Sequence, residues 1–492
     1  MTARLALGPR TSLLRNRPLG LALLAALGHL LCWSGEARAD GAFPNALSIL
    51  TPEQLPNETL LATNFGLVIS FDHDQTWIWS CEQPLSSFAT LYQMGPPPLN
   101  RLYAVSPTSL ITTDDSACTW KPSASGAIDA FVDPTNPNRV LAVVAKSGDA
   151  GSVYTVVESA DAGTTFPQLR YTAAAGDHIT GVEIARSDPQ TVYLTLTSGP
   201  TYIPKVAVSS NGGGSWTLHD LSGTLPAGAY SVRLVAIDPT HPEKLLLRVG
   251  SGAGEALAVS TNSGASASTP LTFPGGVFTA FARMPSGSLI AGGVVGSTNV
   301  GYRSTDGGAS FAPLPAVPFT FKAMSARGTT LYAALDNMTD AFAIETSPDE
   351  GMTWRPLMRF NKDVDGGATG YIQAIQTCLM SFCQSDCDTR SSAELISQDV
   401  CSATVMPHPV DGGTGASSGT GTGGGTGQGG TGATGTGGKS TSDGGGAGAQ
   451  GGATSGGGCG RCALPPGPTG SSLSLTALVA TALFLGLRRR RR

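Results

Sequence analysis

Five polar residues stand at matching places in short apolar runs: Asp129 in AIDAF, Glu183 in GVEIA, Arg233 in SVRLV, Lys322 in FKAMS and Gln373 in YIQAI. Alternate side chains of an extended strand share a face, so these runs would turn all five toward one line. A ring of mixed charge there could hold a polar ligand. Two carboxylates across a cleft are also the equipment of a glycosidase, which makes Asp129 and Glu183 the catalytic candidates. The same ring would equally arise from mutual pairing and channel water, because enclosed charges need compensation. Nothing in the cysteine and histidine spacing calls for a metal: the cluster between Cys378 and Cys401 has no C-x-x-C, and His408 lies outside it. No cofactor is expected.

The elements that position these residues repeat. An eight-residue turn begins at Ser70, Thr113, Ser159, Ser209, Ser260, Ser304 and Ser347, at intervals of 43 to 51 residues. Such a period signals a solenoid, propeller or array. Short β-rich runs precede each turn, as in RVLAVVA then SVYTVVES, and one follows it. Asp-Pro pairs at 133–134, 188–189 and 238–239 suit turns after a first strand. Four strands per unit predict blades of a β-propeller.

The letters of the turn have mechanical reasons. Asp72, Asp115, Asp161, Asn211, Asn262, Asp306 and Asp349 can accept backbone N–H bonds as Asx-turns. Glycine two positions on permits positive φ. Asp74 and Ala117 replace it in the first two copies, and Ala117 should give the more altered turn. The closing aromatic becomes Ala267 in the fifth copy, which should be the loosest. These turns read as scaffold.

The pattern S-x-[DN]-x-G-x-[ST]-[WF] resembles the Asp box of BNR propellers, a group that includes sialidases, sortilin-like receptors, some endoglucanases and many non-enzymes. The resemblance implies an all-β, seven-bladed propeller of four-stranded blades over residues 40–377, with the boxes on the rim, away from the axis. Sialidases of this type carry an Arg-Ile-Pro motif and three converging arginines. No Arg-Ile-Pro occurs here, and the first arginine after the leader is Arg101. The expectation leans to a non-enzyme that binds a glycan, peptide or surface protein. The alternative is a sialidase-like or endoglucanase-like hydrolase using the axial carboxylates.

The ends speak of export. Residues 1–39 hold arginines, an apolar core and Ala37-Arg38-Ala39, the parts of a cleavable secretory signal. Export permits disulfides. Cys81 and Cys118 suit a bridge between neighbouring blades, and Cys378, Cys383, Cys387 and Cys401 a two-bridge cap over 378–410. Residues 411–458 are Gly/Thr/Ser-rich and should form a disordered linker. Cys459, Cys462, an apolar helix at 473–487 and five terminal arginines follow. This order of parts resembles the MYXO-CTERM sorting signal. It implies a sorting protease, transient residence in the inner membrane and display at the cell surface; a plain inner-membrane anchor is the other reading.

The chain has 30 basic and 35 acidic residues; ten arginines lie in the leader and tail and Glu36 in the leader, which leaves 20 against 34. An acidic body without a basic stripe disfavours nucleic-acid binding.

Overall fold

The computed structural model describes residues 45–82, 89, 91–148, 151–315, 317–362, 370–393 and 395–405. The leader, the linker and the Cys-helix-Arg tail, with Cys459 and Cys462, lie outside these residues.

Among the described residues the strands form seven successive four-strand antiparallel modules, at 46–81, 91–125, 127–172, 177–220, 229–274, 277–313 and 323–359. Several of their central strands are buried along their whole length rather than on alternate residues. Val192–Ser198 and Leu245–Ser251 are buried at every position, as expected of strands covered on both faces. Within the second of these, Arg248 is tolerated because Glu255 takes it at 2.7 and 2.9 Å.

Seven hydrophobic clusters lie one to each pair of neighbouring modules, and one of them joins module seven to module one. First strands touch in chain order, except that the third strand of module five makes the contact to module six. The first strand of module seven, Ala323–Arg327, meets that of module one, Ala46–Leu50. The modules thus follow one another around a closed cycle, consistent with a β-propeller. Each fully buried aliphatic or phenyl side chain in these clusters contributes about 1.5–3 kcal/mol.

Two segments, Asn45–Leu50 and Gly370–Gln376, compete on sequence for the closing position. The structure gives the first strand of module one to Ala46–Leu50. Gly370–Gln376 instead runs parallel between the outer strands of modules one and seven, Trp77–Cys81 and Arg355–Arg359. Gln373 is therefore at the rim, where its Oε1 accepts the Trp77 N–H at 2.8 Å, and it does not join an axial ring.

This seam strand carries the chain into a short helical cap, with a helix at Met380–Ser392. All six candidate cysteines are bonded, but the expected pairing is corrected. Cys81 joins Cys383, Cys118 joins Cys378, and only Cys387–Cys401 lies within the cap. The reason is topological: the seam strand lays the cap across modules one and two, which brings together cysteines 302 and 260 residues apart. Each bridge stabilises by about 2–4 kcal/mol.

Candidate functional site

Strand direction alternates within a module, so the ends of its first and third strands share one face. The turns between third and fourth strands occupy the rim of that face. In each turn two consecutive residues have positive φ, for example Ala162 and Gly163 at 56° and 79°. The Ser159 hydroxyl accepts the Gly163 N–H at 2.8 Å, and Asp161 accepts the Thr165 N–H and hydroxyl at 2.8 and 2.7 Å. The Thr165 N–H, then the Ser159 hydroxyl, which donates to Asp161 at 2.7 Å, and the Thr165 hydroxyl hold the Asp161 carboxyl down at about 2. Asp306 is pulled still lower by Ser310.

The second turn is not the altered one. Ala117 sits at φ 70° and its N–H still reaches the Thr113 hydroxyl at 3.2 Å. The Cys118–Cys378 bridge and a 2.7 Å bond from Gln376 to the Ser116 carbonyl pin it there. The turn ending in Ala267 likewise keeps its bonds, at 2.9 Å to Ser260 and 3.0 Å to Asn262.

At the centre of the same face the first strands end around an axial mouth of about 350 Å³. All seven modules contribute to it. Thr51, Gln93 and Phe131 come from the first three, Glu183 and Ile237 from the next two, and Arg283 and Ser325 from the last two. The closing contact is here as well: the Thr51 hydroxyl lies 2.7 Å from that of Ser325 and donates to the Ala326 carbonyl at 3.1 Å. Asp-Pro turns shape the wall. Asp238 accepts the Thr240 N–H at 3.1 Å and pairs with Arg283 at 3.2 Å. Burial raises the Asp238 carboxyl, but the Thr240 N–H and the Arg283 charge outweigh it and hold it at about 2. Across the opening Arg186 faces Glu53 at 3.6 Å, both about half exposed.

The residues singled out by sequence divide. Asp129 is fully buried and ties three modules together: Oδ2 accepts the Val182 N–H at 2.8 Å, and Oδ1 accepts from Arg233 at 3.3 Å. Glu183, also buried, lines the mouth. Lys322 pairs with Asp336 inside module seven at 3.2 Å. Sequence reasoning missed Glu53, Arg186 and Arg283. The two arginines had a readable signal, an Ala-Arg step closing the first strand in modules four and six (Ala185-Arg186, Ala282-Arg283).

The opposite face carries an aromatic group. Tyr154 Oη lies 3.1 Å from His178 Nδ1, and the half-exposed Tyr202 ring stands 5.8 Å from the imidazole.

No protein-family model and no curated protein sequence matches the chain. Among solved structures, a GH74 enzyme from Niastella koreensis aligns at 15% identity over 63% of this chain and 65% of that one, with a TM-score of 0.35. YCF48 from Cyanidioschyzon merolae aligns at 13% identity over 62% and 95%, TM-score 0.41. The Hadza microbial sialidase Hz136 aligns at 11% over 59% and 72%, TM-score 0.36. The chain thus spans just under two thirds of the length of the first of these.

Proposed function

We propose that this chain is an exported, surface-displayed, non-enzymatic seven-bladed propeller that binds a peptide or protein partner at its axial mouth. In this reading the seven turns are Asp boxes serving as rim scaffold, and the last 35 or so residues are a sorting signal that delivers the body to the cell surface. The observation that carries it is the mouth itself. Every module contributes to one opening, and the exposed Glu53–Arg186 pair at its edge offers both signs of charge to an incoming chain. Three cross-links suit a protein that works outside the reducing cytoplasm.

The test is photo-cross-linking from a benzophenone placed at Gln54, beside the mouth, on intact cells, together with a turnover screen of the purified protein on fluorogenic sialosides and xyloglucan. The expected result is one discrete adduct that Arg186→Glu abolishes, with no turnover. Turnover that Glu183→Ala or Asp129→Ala removes would overturn the reading in favour of a hydrolase.

A further inference from the structure

A second and larger cavity, of about 680 Å³, opens where modules one and two meet. Its walls are apolar: Leu55, Ile69 and Phe71 from module one, Leu99 and Leu102 from module two. The Cys118–Cys378 bridge closes one end. The charged groups are all carboxylates; among the described lining residues none is Lys, Arg or His.

Most of the acceptors are engaged. Asp115 receives the Thr119 N–H at 2.8 Å and the Thr113 hydroxyl at 2.7 Å. Asp114 is held by Arg101 at 2.5 and 2.9 Å. Two acceptors differ. Asn100 Oδ1 is buried without a hydrogen-bond partner. Glu58 stands in the apolar wall, and burial alone pushes its carboxyl up to about 7. The charged groups packed around it are already committed. Arg327 donates to the Glu58 backbone carbonyl at 3.1 Å but spends its charge on Asp74. Lys121 and Arg101 sit on Asp114, and His73, tied to the Asn57 carbonyl through its backbone N–H, is exposed.

An apolar trough ending in an uncompensated carboxylate fits one kind of side chain. Lysine and arginine lay an aliphatic stem along apolar surface and present a cation at the tip. The trough also adjoins the axial mouth. Met94 lines both, and next to it Gln54 Nε2 donates to the Gly95 carbonyl at 3.0 Å, a contact between modules one and two. A chain crossing that contact would lie between the modules.

We propose that this groove is a peptide-docking site for an apolar segment bearing one lysine or arginine, its stem against Leu55, Phe71 and Leu99 and its cation on Glu58. The site stands whether or not the mouth binds a partner.

The test uses the full, disulfide-intact protein and two fluorescein-labelled probes: the peptide acetyl-Leu-Ile-Lys-Leu-Pro-amide, and the same peptide with glutamine for lysine. Fluorescence anisotropy at pH 8 should favour the lysine probe by about tenfold or more, the scale of one charge-assisted hydrogen bond. The preference should fade at pH 5.5, as Glu58 takes up its proton. Glu58→Gln, which mimics the protonated acid and so leaves the fold intact, should erase the preference at both pH values. Leu99→Arg, at a half-exposed position, should block both probes. Arg186→Ala, at the mouth, should leave both affinities within about twofold, the spread expected of a distant site. Equal binding of the two probes, a preference that survives Glu58→Gln, or no binding of either at millimolar concentration overturns the proposal.

Discussion

The junctions between consecutive modules and the seam between modules seven and one solve the same packing problem differently. At five of the six ordinary junctions the second positive-φ residue of the turn is glycine, pressed against the preceding module, and at the junction of modules one and two it is Ala117. A Cβ on Gly264 would fall 2.5 Å from Val206 Cγ1, and one on Gly163 2.9 Å from the Tyr103 ring. At the seam the equivalent residue is Asp74, at φ 67°. Its carboxylate binds Arg327 of module seven and accepts the Tyr332 hydroxyl at 2.8 Å, while the Thr59 hydroxyl donates to its other oxygen at 2.5 Å. Consecutive modules are held close by short connections, so close apolar packing suffices. Modules one and seven are distant in sequence, and their junction adds directional polar bonds, a shared strand and covalent links.

Three measurements would break or sharpen that contrast. The largest effect belongs to the cross-links. Replacing Cys81 and Cys383 by alanine should cost about 2–5 kcal/mol, read as a lowered unfolding midpoint in calorimetry. The loss of Cys387–Cys401, which closes a loop of only 14 residues, should cost less; the reverse order would remove the seam from its special place. Next is Asp74→Gly. It installs the residue that five other turns use, yet should destabilise by about 3 kcal/mol, the scale of stranding one partner of a buried pair. A neutral result would mean the seam is an ordinary junction.

The smallest effect is the pH dependence, which runs in opposite directions for two sets of carboxyls. Glu58, beside the seam, and Glu345, in module seven, are raised from 4.5 to about 7, the first by desolvation and the second by desolvation with help from Asp340. The folded chain keeps their protons where the unfolded chain has lost them, so their contribution is whole below about 4.5 and fades as pH rises through 7. Asp161 and Asp238, in regular modules, are lowered from 3.8 to about 2. Theirs is present above about 4 and lost as pH falls toward 2. Thermal midpoints should therefore crest near pH 4–4.5, and Glu345→Gln should flatten the alkaline side by on the order of 1 kcal/mol once solvent screening is allowed for. An alkaline side left unchanged by Glu345→Gln would argue against a raised Glu345.

What the sequence discloses follows the same division. The module length, the strand order around each turn and the role of residues such as Asp161 were legible because they depend on contacts within one repeat. The seam was not. YIQAI alternates as GVEIA does, and nothing local says that Gln373 would meet Trp77 on an outer edge while Glu183 meets the mouth. The partners of Cys81 and Cys118 are set by the path of the chain over hundreds of residues, which spacing does not encode. Glu53, Arg186 and Arg283 were hidden for a subtler reason: Glu53 and Arg186 follow their strands and Arg283 is the last residue of its own, so a comparison of strand interiors does not reach them.

The seam strand belongs to neither of the modules it joins, and each module is drawn from one uninterrupted stretch of 46 residues or fewer. A ring that divides one sheet between its two chain ends ties its circumference to that division. Here duplication or deletion of one of modules three to six in the gene would hand over or remove a finished sheet and leave the clasp untouched, so the ring could change size across generations without first being opened.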